Sequence, residues 1–292
     1  MHPELVVQLI INGLLLGGVF ALAALGLNVI FGVTRIVNLA HGQIIVLSAL
    51  TCAVAFQKFG ITPIEALPVA LVAGAIIGIL IERLLLRRLP EHAQSREWAS
   101  LLITFGVSYF LVGLSLAIFS GDFRSVAYLT TSWTVGRIDF PKAQVLAFSL
   151  AILIAGILAI VLRSTKTGRS LRAASQNLDG ARVCGIDIGR MRTLSFAFGC
   201  GIAAASGALL SMIYAVNPDT GSQFTLVAFS VVVLGGLGSY AGAVLGALLL
   251  GLAVSFVGFY GNTHLGSMMP YVVFILVLLF RPSGILGKPA TT

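Results

Sequence analysis

The charges of this chain come in clusters, and the stretches between the clusters are long enough to cross a bilayer. Only 28 of its 292 residues are Asp, Glu, Lys or Arg. Leu5 to Phe31, Trp98 to Ser120 and Leu194 to Val216 contain none. A helix needs about 20 such residues to cross a hydrocarbon layer of roughly 30 Å. In lipid each backbone N–H and C=O must be paired within the protein, so only helices and closed barrels can span it. The pattern predicts an all-α fold, a polytopic helical membrane protein of eight or nine crossings, with residues 1–292 as one transmembrane domain.

Composition agrees, with 58% hydrophobic residues and a mean hydropathy of +1.04. The net charge of +8 does not point to nucleic acid, because the basic residues lie between the apolar segments and not on a separate face. That is where membrane proteins carry Lys and Arg on the cytosolic side. The start, Met1-His2-Pro3-Glu4, lacks the basic region of a cleaved signal peptide, so the first apolar segment reads as retained. Cys52, Cys184 and Cys200 have no motif spacing and read as packing residues.

Nine candidate crossings can be drawn: 5–31, 38–57, 64–82, 98–120, 143–162, 194–216, 224–237, 241–260 and 266–280. The second is weak because Asn38, His41 and Gln43 stand at its start. The seventh is short enough to be re-entrant or to pair with the eighth, and the ninth begins near Pro270. With the N-terminus outside, 14 of 18 basic residues fall inside, and only Lys58, Arg124, Arg137 and Lys142 fall outside. Losing one weak crossing would invert every later loop, so seven to nine crossings stay open at this point.

Two extramembrane segments have substance. The outer loop, 121–142, mixes Asp122, Arg124, Trp133, Arg137 and Asp139. The inner loop, 163–192, carries seven basic and two acidic residues. In it Leu171, Ala174, Leu178 and Ala181 recur at helical spacing, with Gly168 and Gly185 as start and stop signals. This predicts one short amphipathic helix across the cytosolic mouth, suited to lying on lipid, regulating a pore or docking another protein. Glycines at Gly13/Gly17, Gly74/Gly78, Gly238/Gly242 and Gly242/Gly246 have the spacing that lets helices approach closely in lipid. Gly235-Gly236-Leu237-Gly238-Ser239 reads as a tight cytosolic turn or an unwound stretch.

No enzyme constellation emerges. The phosphate-binding pattern GxxxxGK[ST] is absent, as are HExxH and GxSxG, and His2, His41, His92 and His264 have no ligand spacing. No cofactor or metal is implied. No crossing carries a central charge except Glu82, at the end of the third, which argues against a proton relay or voltage sensor. The remaining polar groups are neutral: Asn12, Asn28, Asn38, His41 and Gln43. Such groups are costly in lipid, so they line a translocation path or hydrogen-bond neighbouring helices.

Several stretches carry a resemblance. They are Gly26-Leu27-Asn28 through Val37-Asn38-Leu39-Ala40-His41-Gly42-Gln43, Arg172-Ala173-Ala174 to Ala181 with Gly185-Ile186-Asp187, Leu234 to Ser239, and Arg281-Pro282-Ser283-Gly284-Ile285-Leu286-Gly287. In these the chain resembles the permease subunit of bacterial ATP-binding-cassette importers of the branched-chain amino acid type. The resemblance implies an ABC importer permease fold in the bacterial inner membrane and no catalytic activity in this chain. It implies a second homologous permease in a heterodimer, two cytosolic ATPase subunits and a periplasmic binding protein. The inner segment with Leu171, Arg172, Ala174, Leu178, Ala181 and Gly185 would be the coupling helix, with Arg172-Ala173-Ala174 where other importers carry Glu-Ala-Ala. An apolar, dipole-lined route suits a zwitterionic neutral amino acid and equally urea or a short amide. A stand-alone channel or secondary carrier would need an intramembrane coupling carboxylate or filter, and a membrane enzyme would need clustered catalytic groups.

Overall fold

The computed structural model describes residues 3–89, 93–281 and 283–287. His2, His92, Pro282 and Lys288 lie outside the described residues. Among the described residues eight helices are long and apolar enough to cross a membrane.

The first helix sets the axis. α1 (Pro3–Thr34) has 32 residues, a length of about 48 Å. At one end Gln8 Nε2 donates to the Asp139 carbonyl at 2.7 Å and Glu4 pairs with Arg137 at 3.3 Å. At the other end the Arg35 guanidinium donates to the Ser175 carbonyl at 3.1 Å. The 121–142 and 163–192 loops therefore lie at opposite ends of the bundle, with the basic loop on the inner side.

The chain then turns back. Arg35 adopts φ +55, and residues 36–40 re-enter the bundle without helical structure. α2 (His41–Phe59) begins beside Ala23, eleven residues up from the end of α1, and runs outward. α3 (Pro63–Leu80) starts with a capping box between Thr62 and Glu65 and runs inward. It continues through a π-turn at Ile81–Leu85 and a 3₁₀ turn at Leu86–Arg88. Glu82 is buried there and accepts from Thr193 Oγ1 at 2.5 Å.

α4 (Ala93–Phe119) returns outward, and the outer loop folds a two-stranded hairpin, β1 (Ser132–Val135) and β2 (Ile138–Pro141), turned at Gly136. α5 (Lys142–Ser164) runs inward to α6 (Lys166–Gln176) and α7 (Leu178–Val183). α8 (Ile188–Leu210) is the central post, packed against α1, α2 and α3. Its close approaches use glycine. A Cβ at Gly199 would lie 2.5 Å from the Gly26 carbonyl oxygen, and one at Gly78 would lie 2.3 Å from that of Phe196.

α9 (Gly221–Gly235) runs inward, α10 (Tyr240–Tyr260) outward and α11 (Thr263–Phe280) inward. Gly236 and Gly238 hold φ +100 and +84 in the connecting turn, a conformation open to glycine and costly to other residues. The predicted tight turn is therefore present. The tail docks on it, with Ile285 N donating to Leu234 O at 2.8 Å and Leu286 N to Gly235 O at 3.1 Å.

Among the described residues nine segments thus alternate direction, and α1 starts at the end of the bundle that holds the 121–142 loop. α9 is the exception in length. Its 15 residues cover about 22 Å, and its first turn sits at mid-depth against the start of α2. The glycine pairs behave as expected on three counts. Gly13 and Gly17 pack on α10, Gly74 and Gly78 on α8, and Gly242 and Gly246 on α9, whereas Gly238 belongs to the turn.

Candidate functional site

Two helices begin in the middle of the bundle, and they begin against each other. A Cβ on Gly42 would lie 2.0 Å from the Gly221 carbonyl oxygen, and Gly42 N donates to Thr225 Oγ1 at 3.0 Å. Thr225 Oγ1 in turn donates to Leu39 O at 3.4 Å. Irregular backbone leads into both helix starts, through residues 35–40 and through 211–220. At membrane depth such backbone is tolerated where protein buries it or where it lines a cavity.

A cavity is there. A cleft of about 550 Å³ opens between the helix starts and α4, lined by Val37, Leu39 and Gln43 on one side and by Asp219, Ser222 and Thr225 on another. Phe105, Ser108, Tyr109 and Val112, from the middle of α4, form the wall and fix the depth. Thr104 Oγ1 donates to Val37 O at 3.3 Å, tying α4 to the re-entrant segment.

Three of the sequence-predicted residues meet at this junction. Asn38 is fully buried, and its Oδ1 accepts from Ala40 N at 3.1 Å, shaping the turn into α2. His41 is fully buried, and its Nε2 donates to the Ala23 carbonyl at 2.9 Å. A carbonyl can only accept, so Nε2 carries the proton and Nδ1 presents a lone pair. Gln43 is 3% exposed and seats its amide against Gly221. Among the described residues, Asn38 Nδ2, His41 Nδ1 and Gln43 Oε1 have no partner. Buried polar atoms are almost always satisfied, and of these three residues Gln43 lines the cleft, so its orphaned amide marks where a polar ligand or water belongs.

Asn28 and Asn12 lie elsewhere. Asn28 Oδ1 accepts from Gly238 N at 2.9 Å and so holds the inner turn. Asn12 is half-buried near the outer rim, where it accepts from Gln8 at 3.1 Å. Asn28→Leu should cost about 1–3 kcal/mol, because Gly238 N–H loses its acceptor inside the bundle. Asn12→Leu should cost less than about 1 kcal/mol. Thermal unfolding of the two purified variants checks this, and equal losses would deny Asn28 its capping role.

Asp219 was missed. It falls between the candidate crossings 194–216 and 224–237, yet its one-turn 3₁₀ helix, Pro218–Thr220, precedes α9 at mid-depth. The signal was available: Asp219 is the only Asp, Glu, Lys or Arg between Arg192 and Arg281.

The inner segment differs from the single helix predicted. Asn177 (φ −151) ends α6 and caps α7, its Oδ1 accepting from Gly180 N at 2.9 Å. Asparagine at this position competes for backbone N–H groups and favours a cap over a helix interior. Gly168 is not a start signal. Thr165 caps α6, and Gly168 lies in its first turn, where a Cβ would meet Val161 O at 2.2 Å. Gly185 does end α7: at φ +77 its N–H bonds to Arg182 O, and that of Ile186 to Ala181 O, both at 3.0 Å. Leu171, Ala174 and Ala181 are buried against the bundle, Leu178 and Arg172 are half-buried, and Val183 stands 88% exposed. The predicted apolar stripe is thus the inward face of the element. The opposite face, with Asp179, Arg182 and Val183, is the exposed one.

Residues 9–278 match the family model described as the branched-chain amino acid transport system permease component. Among curated proteins, the chain is 33% identical over 297 residues to the high-affinity branched-chain amino acid transport system permease protein LivH of Escherichia coli K12, covering 97% of this chain and 96% of that one. It is 30% identical to the corresponding BraD protein of Pseudomonas aeruginosa, over 97% and 96% of the two chains. Among solved structures it superposes on a metal-chelate type ABC transporter in an inward-facing conformation, with TM-score 0.50 and 15% identity, over 94% of this chain and 85% of the other. That likeness speaks for the fold alone.

Proposed function

The chain belongs to the branched-chain amino acid transport permease family, and from that premise we propose that it is a membrane subunit of an ATP-driven importer for branched-chain amino acids, multi-pass in the inner membrane. The observation that carries this reading is full-length likeness to permeases named for that transport. The translocating body is completed by a second, homologous permease, which covers the exposed side of the cleft. Two cytosolic ATPase subunits grip the exposed face of α6 and α7, and a binding protein delivers the ligand to the outer surface around the β1–β2 hairpin.

The mechanism is alternating access. Nucleotide binding in the ATPases pulls α6 and α7. The Arg35–Ser175 hydrogen bond passes that pull to the end of α1, and Arg172 lies beside Ser239 and Tyr240 at the start of α10. Both helices pack through glycine on their neighbours, so they can tilt as rigid rods and shift α2 and α9 at the broken junction of His41 and Gly221. Asn38, His41 and Gln43 offer dipoles on the route.

Reconstitution tests this. Proteoliposomes holding the chain with its partner permease, ATPases and binding protein should accumulate L-leucine only with ATP. Leucine uptake by the chain alone, with no nucleotide hydrolase present, would refute the reading. Accumulation of urea and not leucine would move it to another substrate.

A further inference from the structure

Asp219 is exposed on the cleft wall at mid-depth, beside exposed Ser222 and the buried, unpartnered Oε1 of Gln43. Among the described residues no cation stands within ion-pair distance of it. A carboxylate that met lipid at this depth would be strongly disfavoured, so it faces water or a partner charge. Two acceptors are exposed on this wall, the Asp219 carboxylate and Ser222 Oγ, and a third, Gln43 Oε1, lies buried just behind them against Gly221. Ser222 spends its own proton locally, on Asp219 O at 3.4 Å, which leaves its lone pairs available. Gln43 keeps its place because Gly221 has no side chain: a Cβ there would lie 2.2 Å from the Gln43 amide carbon. The wall opposite is aromatic and aliphatic, with Phe105 and Tyr109 at 49% and 64% exposure.

We propose that Asp219, Ser222 and Gln43 form a station that holds the α-ammonium group of the passing amino acid, with its apolar side chain against Phe105 and Tyr109. An ammonium has three N–H donors and no acceptor, which matches two acceptors on the wall and a third behind them. The inference rests on the reading of the chain as half of an amino acid conduit. It replaces the expectation of a route without a counter-charge, and it makes urea a poor passenger, since urea has no cation to pair.

The experiment uses the complete transporter in proteoliposomes. D219N should lower L-leucine uptake by about tenfold, and D219E should recover most of it, because a pure packing role would favour the isosteric amide. A second readout does not depend on transport. In a background without Cys52, Cys184 and Cys200, S222C should react faster with a cationic methanethiosulfonate than with an anionic one, and D219N should erase that preference. Excess L-leucine should slow the labelling. Wild-type uptake by D219N, or no charge preference at Ser222→Cys, overturns the station while leaving leucine import intact. A S222C that no reagent reaches in the assembled complex also overturns it, and then Asp219 pairs with the partner permease. No leucine uptake by the wild-type complex sinks the importer reading itself.

Discussion

Gly42→Val will abolish L-leucine uptake and destabilise the chain by about 3 kcal/mol or more, the upper end of overpacking in a filled interior. The cost is high because the neighbours are backbone. The first added carbon would lie 2.0 Å from Gly221 O and 2.4 Å from Thr225 N, and neither can rotate away as a side chain could. To admit it, the starts of α2 and α9 must separate. The Gly42 N–H to Thr225 bond then breaks, and Gln43 loses its seat on Gly221. Stability and activity should therefore fall together. Gly156→Ala is the control, since an added Cβ there meets nothing within 4 Å and alanine is the better helix former, by about 1 kcal/mol. Thermal unfolding in detergent and uptake in proteoliposomes measure both. A Gly42→Val protein that melts and transports like the parent would mean the helix starts are not in contact.

The crossings were legible because lipid imposes a simple rule, and charge-free length reports it. α3, α4 and α11 are mostly uncovered in the single chain and were as readable as α1 and α8, which are mostly buried, since both settings demand apolar residues. What the apolar signal hides is depth. Residues 217–223 fall between two candidate crossings because polar residues separate two apolar runs, yet Thr225 and Gly221 bring that loop down onto Gly42. Only tertiary contact between elements about 180 residues apart fixes it there. Asn38, His41 and Gln43 were recognisable as costly groups, but nothing local distinguishes them from Asn28, whose acceptor is taken by Gly238 210 positions away. The period of the inner element was legible, but the side its stripe faces was not. Leu171, Ala174 and Ala181 form an apolar stripe, and a stripe names a buried face without saying whether the bundle or a partner buries it.

Val183→Asp separates those two faces. Val183 is 88% exposed, next to the Cys184–Gly185 cap that fixes its position, so in the isolated chain the aspartate meets only water. Thermal unfolding of the purified permease should not change. In the complex, a valine seated in an ATPase groove contributes about 1.5–3 kcal/mol of burial. An aspartate put in its place loses that and must also be stripped of water, about 1–3 kcal/mol more when no partner awaits it. Together these give roughly 2.5–6 kcal/mol, a loss of association of about fiftyfold or more. The ATPases should fail to co-purify, and leucine uptake should vanish with them. Ala181→Asp is the contrast. Ala181 is 5% exposed against the bundle, so its variant should melt early before any question of docking arises. If Val183→Asp co-purifies with its ATPases and transports at the parent rate, the grip lies elsewhere on the inner surface. If both variants melt early and alike, α7 is held by the bundle on both faces and presents no free side to a partner.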